Sequence, residues 1–438
     1  FGRSGVGRKE MAAMTRALRS DALSGEKKGG RAGTSRYEAK REAILRSAVE
    51  LFNKRGVKGT SLGDVAQSVG LATNSVTYYY RKKEDLAVAC YLRAIEAHDD
   101  IFRQAAAGPT VRERVRLCVN LYFRFLADIS LGKQTPVIFF DDIRTLNEEY
   151  SASVFRAYTD MFRRARALFM IDGDAPPPRV ALNARTHLLL SVLFWVPAWM
   201  YRYEPEDYGR VAARINDILI DGLAAPRSRW DAPQSEEVDA VVEEGEEVSR
   251  QAFLRAASEL INDQGYLGAS VDRISARLNV TKGSFYHHNH NKDDLVVDCF
   301  EHSFEVVRRA QNETDRIEAD GWTKLCAVAV SLLRYQMSPR GPLLRTTALH
   351  AVPELIRTQM AIRMNRISDR FGHFIVDGMS DGSIRPVDPV MAGHLINPMI
   401  NGGSDLARWA PGLSVDQAID YYVRPLFVGL TRAEELPA

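Results

Sequence analysis

The chain has 438 residues, a length typical of two or three domains. Hydrophobic residues make up 45% of the chain and charged residues 26%, a composition typical of a globular protein. The formal net charge is only +2, so binding to nucleic acid would have to depend on local basic patches. The four cysteines lie far apart and form no Cys-x-x-Cys pair, so they indicate neither a disulfide framework nor a zinc ribbon and favour a reduced, cytoplasmic environment.

The start of the chain is rich in Gly, Ser and basic side chains, and we expect a flexible basic tail over residues 1–35. The most apolar stretch, 187–203, is short for a membrane span and contains Pro197. It therefore predicts a buried helix and no contact with a membrane.

The chain contains an internal repeat. "ELFNKRGVKGTSLGDVAQSVG" (50–70) recurs as "ELINDQGYLGASVDRISARLN" (259–279), at an offset of 209 residues. Later matches, such as His187 with His394, keep an offset of 207. Apolar residues recur three and four positions apart, which predicts helices, and no alternating strand pattern is found. We therefore predict an all-α chain built from two divergent copies.

Each copy contains a helix–turn–helix pattern. In the first copy Ser61 is a good N-cap, Asp64 follows at the third helical position as in a capping box, and Gly70 supplies the left-handed residue that ends the helix. In the second copy Ser270 is the cap and Asn279 takes the left-handed position. Such a motif lays its second helix in the major groove of DNA.

Both copies resemble the TetR family of one-component bacterial regulators. "GASVDRISARLNVTKGSFYHHNHNKDDL" (268–295) is similar to the family's helix-turn-helix, and "GTSLGDVAQSVGLATNSVTYYYRKKEDL" (59–86) is a looser match. The resemblance implies a three-helix DNA-binding domain, followed by a larger helical domain that binds a small molecule and dimerises. Its specific part covers about 50 residues of each copy.

The repeat and the resemblance together predict six segments. They are a flexible basic tail (1–35), a helix-turn-helix domain (36–85), a helical ligand-binding and dimerisation domain (86–224), an acidic linker (225–245), a second helix-turn-helix domain (246–294) and a second helical domain (295–438).

Three histidines lie together on the predicted recognition helix of the second copy. His287 and His290 share a helical face but His288 does not, and no cysteine lies nearby to complete a metal site. DNA contact is therefore favoured over metal ligation, and we predict no metal and no cofactor. The predicted DNA-contacting residues are Arg36, Lys40, Ser61, Thr73, Asn74, Ser75, Thr77, Tyr78, Tyr79, Lys83, Ser270, Thr281, Lys282, Gly283, Ser284, Tyr286, His287, His288 and Lys292.

The two motifs differ from each other. The first copy has Thr77 where the family has a phosphate-binding Tyr, and the second has Asn289 where the family usually has a buried Phe. Basic residues flank the first motif, whereas the second is entered through "EEGEEVSR". Since basic residues neutralise phosphates, we expect the first copy to dominate non-specific affinity.

Large apolar side chains in the C-terminal parts are mostly expected to form the core, and some of them to line a ligand pocket. The predicted ligand-lining residues are Tyr122, Phe125, Phe140, Trp195 and Trp199. No Ser-His-Asp spacing, nucleophile elbow or phosphate loop is found, so we do not expect an enzyme.

The penultimate helices of the two copies differ in a complementary way, because Trp195 corresponds to Gly402. We predict an intrachain pseudo-dimer in which the large side chain fills the space left by the small one. The alternative is that Trp195 lines a pocket and the glycine admits a ligand. A further homodimer is left open.

These features predict a transcriptional regulator, a repressor, that binds double-stranded operator DNA under the control of an unknown small-molecule effector. The alternative is a ligand-binding or protein-interaction module in which one or both motifs no longer bind DNA.

Overall fold

The computed structural model describes residues 31–170, 177–231, 246–266, 268–277, 279–281 and 291–431. The first copy contains α1 (Arg31–Arg55), α2 (Leu62–Ser68), α3 (Thr73–Tyr79), α4 (Lys83–Ala105), α5 (Val111–Ser130), α6 (Glu148–Ala167), α7 (Arg179–Trp195) and α8 (Tyr208–Asp221). The second contains α9 (Glu246–Gln264), α10 (Val271–Arg277), α11 (Lys292–Asp315), α12 (Gly321–Met337), α13 (Glu354–Asp381), α14 (Pro389–Gly402), α15 (Leu406–Trp409), α16 (Val415–Ala418) and α17 (Arg424–Val428). The described residues form no β-strand beyond an isolated bridge between Ala224 and Ile384. The predicted all-α fold is confirmed.

The first three helices form the helix-turn-helix domain of the first copy. Ser61 Oγ accepts a hydrogen bond from Asp64 N at 3.1 Å, and Asp64 Oδ2 accepts one from Ser61 N at 2.7 Å. Two backbone donors at the start of α2 are thereby satisfied. Gly70 has a φ of +65°, and the chain then turns into α3. The predicted cap, capping box and left-handed residue are confirmed.

The second copy repeats the first half of this motif. Ser270 Oγ accepts a hydrogen bond from Arg273 N at 3.3 Å. Asn279 has a φ of 55°, a conformation that Asn tolerates better than most residues. The predicted cap and left-handed residue are confirmed. Residues 282–290, which hold the predicted recognition helix, lie outside the described residues.

The two C-terminal domains pack against each other through α7, α8 and α14. His187 Nε2 lies 2.8 Å from Gly402 O, and Asn183 Nδ2 donates to Trp409 O at 2.7 Å. Most side chains of α7 are buried, as predicted for this apolar stretch. Residues 179–198 are long and apolar enough to cross a membrane, but most of this stretch is buried inside the protein, as in a core helix. The intrachain pairing of the two copies is therefore present.

The predicted reason for this pairing is wrong. A Cβ atom on Gly402 would overlap with the hydroxyl oxygens of Ser191 and Tyr422, so these two side chains already fill the space beside the glycine. Trp195 instead lines a cavity between the two copies, which Gly402 also borders. The structure thus agrees with the alternative in which Trp195 lines a pocket.

A second contact between the copies is made by two glycines at equivalent positions of the repeat. Gly222 and Gly429 have φ values of +71° and +109°, which L side chains rarely adopt. Leu223 N, next to the first glycine, donates to Phe427 O of the other copy at 2.7 Å. A Cβ on Gly222 would overlap with Phe427 O, and one on Gly429 would overlap with Ile220 O. Close backbone approach therefore requires glycine at both positions.

The predicted linker begins as a packed segment. Trp322 Nε1 donates to Arg229 O at 2.9 Å, and the ring of Trp230 meets that of Trp322 edge-on at 6.3 Å. Residues 225–231 therefore rest on the second copy, whereas 232–245 lie outside the described residues.

Two helices cross predicted segment boundaries. Helix α1 begins at Arg31, inside the predicted 1–35 tail, and residues 1–30 lie outside the described residues. Helix α4 begins at Lys83, so the predicted boundary between 85 and 86 falls within its first turn.

Candidate functional site

Helix α3 presents polar and aromatic side chains outward. Thr73, Asn74 and Tyr78 are exposed, and Tyr78 retains 76% of its accessible surface. Val76 faces the opposite way and is fully buried. Ser75 and the neighbouring Thr77 and Tyr79 are partly buried, and Thr77 Oγ1 donates to Asn74 O at 3.0 Å. One face of α3 thus anchors the helix and the other is available for contact.

The first turns of α1 lie beside this face. Tyr37 of α1 packs against Tyr79 at 4.7 Å between ring centroids and meets Tyr78 edge-on at 6.4 Å. Arg36 and Lys40, on either side of Tyr37, are exposed. The structure therefore brings the predicted basic residues and the exposed part of α3 onto one surface.

Lys83 and Lys292 require a correction. Lys83 Nζ donates to three carbonyl oxygens of the turn at 57–60, at distances of 3.1 to 3.3 Å. Lys292 Nζ donates to Tyr266 O at the equivalent turn and lies 4.1 Å from the centroid of that ring. Burial lowers the pKa of Lys292 to about 8. Both ammonium groups thus point into their own domain and stabilise a turn, a geometry that favours a structural role over the predicted phosphate contact.

Replacing Lys83 by Met should lower the free energy of unfolding by about 1–3 kcal/mol, because charge-assisted hydrogen bonds to the turn are lost. Arg81→Met, at an exposed position two residues earlier, is the control. Urea unfolding measures both. Unchanged stability, combined with a salt dependence of DNA binding flattened by about one unit, would restore the phosphate-contact prediction.

The predicted DNA-contacting residues of the second copy are described in part. Ser270 caps α10 and Thr281 is exposed. Lys282, Gly283, Ser284, Tyr286, His287 and His288 lie outside the described residues.

A cavity of about 160 Å³ lies between the two copies. Its aromatic wall is formed by Phe140, Phe155, Tyr158, Phe194, Trp195 and Trp409. Arg144 of the first copy and Arg345, Asp405 and Arg408 of the second supply its charged end.

A largely buried ion cluster forms that charged end. Asp405 Oδ2 lies 2.7 Å from Arg144 Nη2 and 2.6 Å from Arg345 Nη1, and these side chains are only 13% to 17% exposed. Burial by itself raises the pKa of Asp405, but attraction from Arg345 and Arg144 outweighs it and holds that pKa below its ordinary value. Burial lowers the pKa of Arg345 to about 10, so Arg345 and Asp405 are both charged near neutral pH.

Two of the five predicted ligand-lining residues, Phe140 and Trp195, line this cavity. Trp199 instead stacks on His394, with ring centroids 4.9 Å apart. Its contact with a ligand stays a prediction.

Tyr122 and Phe125 surround a buried histidine. Their ring centroids lie 5.8 and 6.0 Å from that of His98, whose Nδ1 is 2.6 Å from Ala94 O. Burial lowers the pKa of His98 to about 4, so the imidazole is a neutral part of an aromatic cluster. Ligand contact by Tyr122 and Phe125 also stays a prediction.

Two asparagines, one in each copy, were missed by the sequence reasoning. Each joins the DNA-binding domain of its copy to the C-terminal domain of that copy. Asn53 Nδ2 donates to Val137 O, and Asn53 Oδ1 accepts from Phe139 N, both at 2.9 Å. Asn262 makes the same two bonds with the segment 343–345, again at 2.9 Å. The signal was present, because Asn occupies the same place in both repeats.

The comparison with known families agrees with this architecture. A profile of the family described as "Bacterial regulatory proteins, tetR family" matches residues 44–90 and 253–299, the two segments that hold the helix–turn–helix patterns. The chain is a tandem of two TetR-like units.

Curated relatives match parts of this TetR-like chain. The transposon Tn10 TetC protein of Escherichia coli is 33% identical over 85 residues, which are 19% of this chain and 43% of TetC. The chain thus spans less than half of the length of that relative. The HTH-type transcriptional repressor KstR2 of Rhodococcus jostii is 25% identical over 207 residues, 44% of this chain and 96% of KstR2. Among solved structures, apo AibR is 23% identical with a TM-score of 0.35, covering 41% of this chain and 98% of AibR.

Proposed function

We propose that the chain is a cytoplasmic bacterial transcriptional regulator that binds operator DNA through two unlike helix-turn-helix domains and responds to a small molecule. One observation carries the proposal. The exposed side chains of Thr73, Asn74 and Tyr78 on α3 share a surface with Arg36 and Lys40 of α1. The match of both helix–turn–helix segments to the TetR family profile supports this assignment.

The two kinds of residue on this surface would have different tasks. Arg36 and Lys40 would neutralise phosphates, which contributes affinity for any DNA sequence. Asn74 and Tyr78 would meet base edges in the major groove, which contributes sequence preference. By the repeat, Thr281 and the segment 282–288 would serve the second half-site, with different side chains and therefore different preferences.

The packing of the two copies supports regulation by a single chain. In a homodimer two identical domains face two halves of an operator, whereas here α7 and α14 join two unlike domains within one chain. We propose repression as the outcome, since KstR2 is named a repressor and IcaR of Staphylococcus epidermidis a negative regulator. An effector would act by shifting the population between two arrangements of the domains.

The double variant Arg36→Ala/Lys40→Ala should weaken binding to all DNA sequences alike and flatten the salt dependence by about two units, because each basic residue releases about one counterion. Arg116→Ala, at an exposed position on α5, is the matched control. Fluorescence anisotropy on DNA from beside the chain's own gene, over a series of salt concentrations, measures the slopes. Equal slopes for both variants would remove these residues from the interface.

The second candidate function is a ligand-binding or protein-interaction module without DNA binding, favoured by Thr77 and by the acidic entry to the second copy. It predicts no binding to any DNA at low salt, the condition in which electrostatic affinity is greatest.

A further inference from the structure

The cavity between the copies carries an imbalance of charge. The described residues that line it include three arginines, Arg144, Arg345 and Arg408, and a single carboxylate, that of Asp405. Asp263 also attracts Arg345, from outside the lining. Arg345 Nε is buried without a hydrogen-bond partner among the described residues. Buried donors usually have a hydrogen-bond partner. The Nε–H of Arg345 can therefore donate to a further, negatively charged acceptor.

The remainder of the cavity suits a flat apolar group. Six aromatic rings line it, and aromatic pairs gain from edge-to-face and offset contacts at about 4.5–7 Å. Its volume of about 160 Å³ is close to that of an engineered protein cavity, about 150 Å³, that binds benzene. One ring with a small substituent therefore matches the space.

We propose that this cavity binds a small aromatic carboxylate, with the ring against the aromatic wall and the carboxylate at the cluster of Arg144, Arg345 and Asp405. Guanidinium groups bind carboxylates through paired, charge-assisted hydrogen bonds. Arg408 is exposed at the cavity and adds to the attraction. Because both copies contribute walls, the site exists only when they are packed together.

The same arginines contact the second DNA-binding domain. Arg144 Nη1 donates to Asn262 O of α9 at 3.2 Å, and Arg345 N donates to Asn262 Oδ1 at 2.9 Å. In the first copy the position of Arg345 is held by Phe139, which carries no charge. A bound carboxylate would therefore act on α9 more than on its counterpart α1. This regulatory consequence rests on the proposed function, whereas the binding site does not.

Calorimetry of the full chain without DNA tests the site, with benzoate as the probe and benzamide as its neutral counterpart. Benzoate should bind, and benzamide should bind at least tenfold more weakly, a difference of about 1.4 kcal/mol or more. Arg408→Ala should weaken benzoate binding about tenfold and benzamide binding by less, because only benzoate is charged. It alters an exposed side chain, and Arg116→Ala is the matched control.

Three results would overturn the site: no heat with millimolar benzoate, equal binding of benzoate and benzamide, or tighter binding of decanoate than of benzoate. Since no DNA is present, these results leave the DNA-binding proposal intact, and a chain that failed to bind DNA would still be able to bind benzoate.

Hydrogen exchange with and without benzoate tests whether the bound carboxylate acts on α9 more than on α1. Amides of α9 should change their exchange by at least about twofold, and those of α1 should change less. Equal changes in the two helices would contradict a larger effect of the carboxylate on α9.

Discussion

Replacing Asp405 by Ala is expected to lower the free energy of unfolding by about 3–5 kcal/mol, because two largely buried arginines lose their shared counter-charge. Arg144 and Arg345 come from different copies, and both lie within 2.7 Å of the same carboxylate oxygen. Removing that carboxylate leaves like charges buried side by side. The variant should therefore loosen the contact between the copies, and urea unfolding measures the loss.

Asp416→Ala is the control for this variant. Asp416 pairs with Arg334 at 3.1 Å, but its side chain is 81% exposed, so the change should cost less than about 1 kcal/mol. An Asp405→Ala protein as stable as Asp416→Ala would show that the cluster contributes nothing to stability.

The stabilisation by Asp405 should also depend on pH. Its folded-state pKa lies below the ordinary value of 3.8, so the unfolded chain binds the proton more tightly. The stabilisation is fully present above about pH 3.8 and is lost as the pH falls through the lower, folded-state pKa. The stability difference between the unaltered chain and Asp405→Ala should therefore shrink in stronger acid, and a difference that grows there would contradict the assignment.

Gly222→Ala and Gly429→Ala should each lower the free energy of unfolding by about 2–5 kcal/mol, the sum of a left-handed strain of about 1–2 kcal/mol and overpacking of about 1–3 kcal/mol. Either Cβ would overlap with a carbonyl oxygen of the other copy. The backbone contact between the copies would have to open.

Gly70→Ala separates the two contributions. Gly70 also has a positive φ, but its Cβ position has no atom within 4 Å, so this variant should show the strain alone. Thermal unfolding of the three variants compares them. If the losses of stability at Gly222 and Gly429 are no larger than at Gly70, the backbone contact between the copies tolerates a methyl group.

Local features were predictable because they depend on neighbouring residues. The cap at Ser61 and the left-handed residues Gly70 and Asn279 follow from the chemistry of three or four adjacent positions. The repeat itself showed that two domains of one kind were present, since an offset of 209 aligns both motifs without a gap.

Tertiary contacts were not predictable in the same way. The family resemblance and the offset of 207 indicated α7 and α14 as interface helices, but not their rotation, which places Ser191 and Tyr422 rather than Trp195 against Gly402. Arg144 and Asp405 are 261 positions apart, and neither lies in a motif. Lys83 was assigned to phosphate from its place after α3, whereas the carbonyl oxygens that bind it belong to a turn 23 to 26 residues earlier.

Selection of bound sequences from random DNA is the most direct test of a regulator with two unlike DNA-binding domains. The chain should enrich an imperfect palindrome whose two half-sites differ, because α3 and residues 281–288 of the second copy carry different side chains. Half-sites should be separated by about one helical turn, or a multiple of it. A perfectly symmetric site would contradict the inequality of the two domains, and the absence of any enriched sequence would contradict specific DNA binding itself.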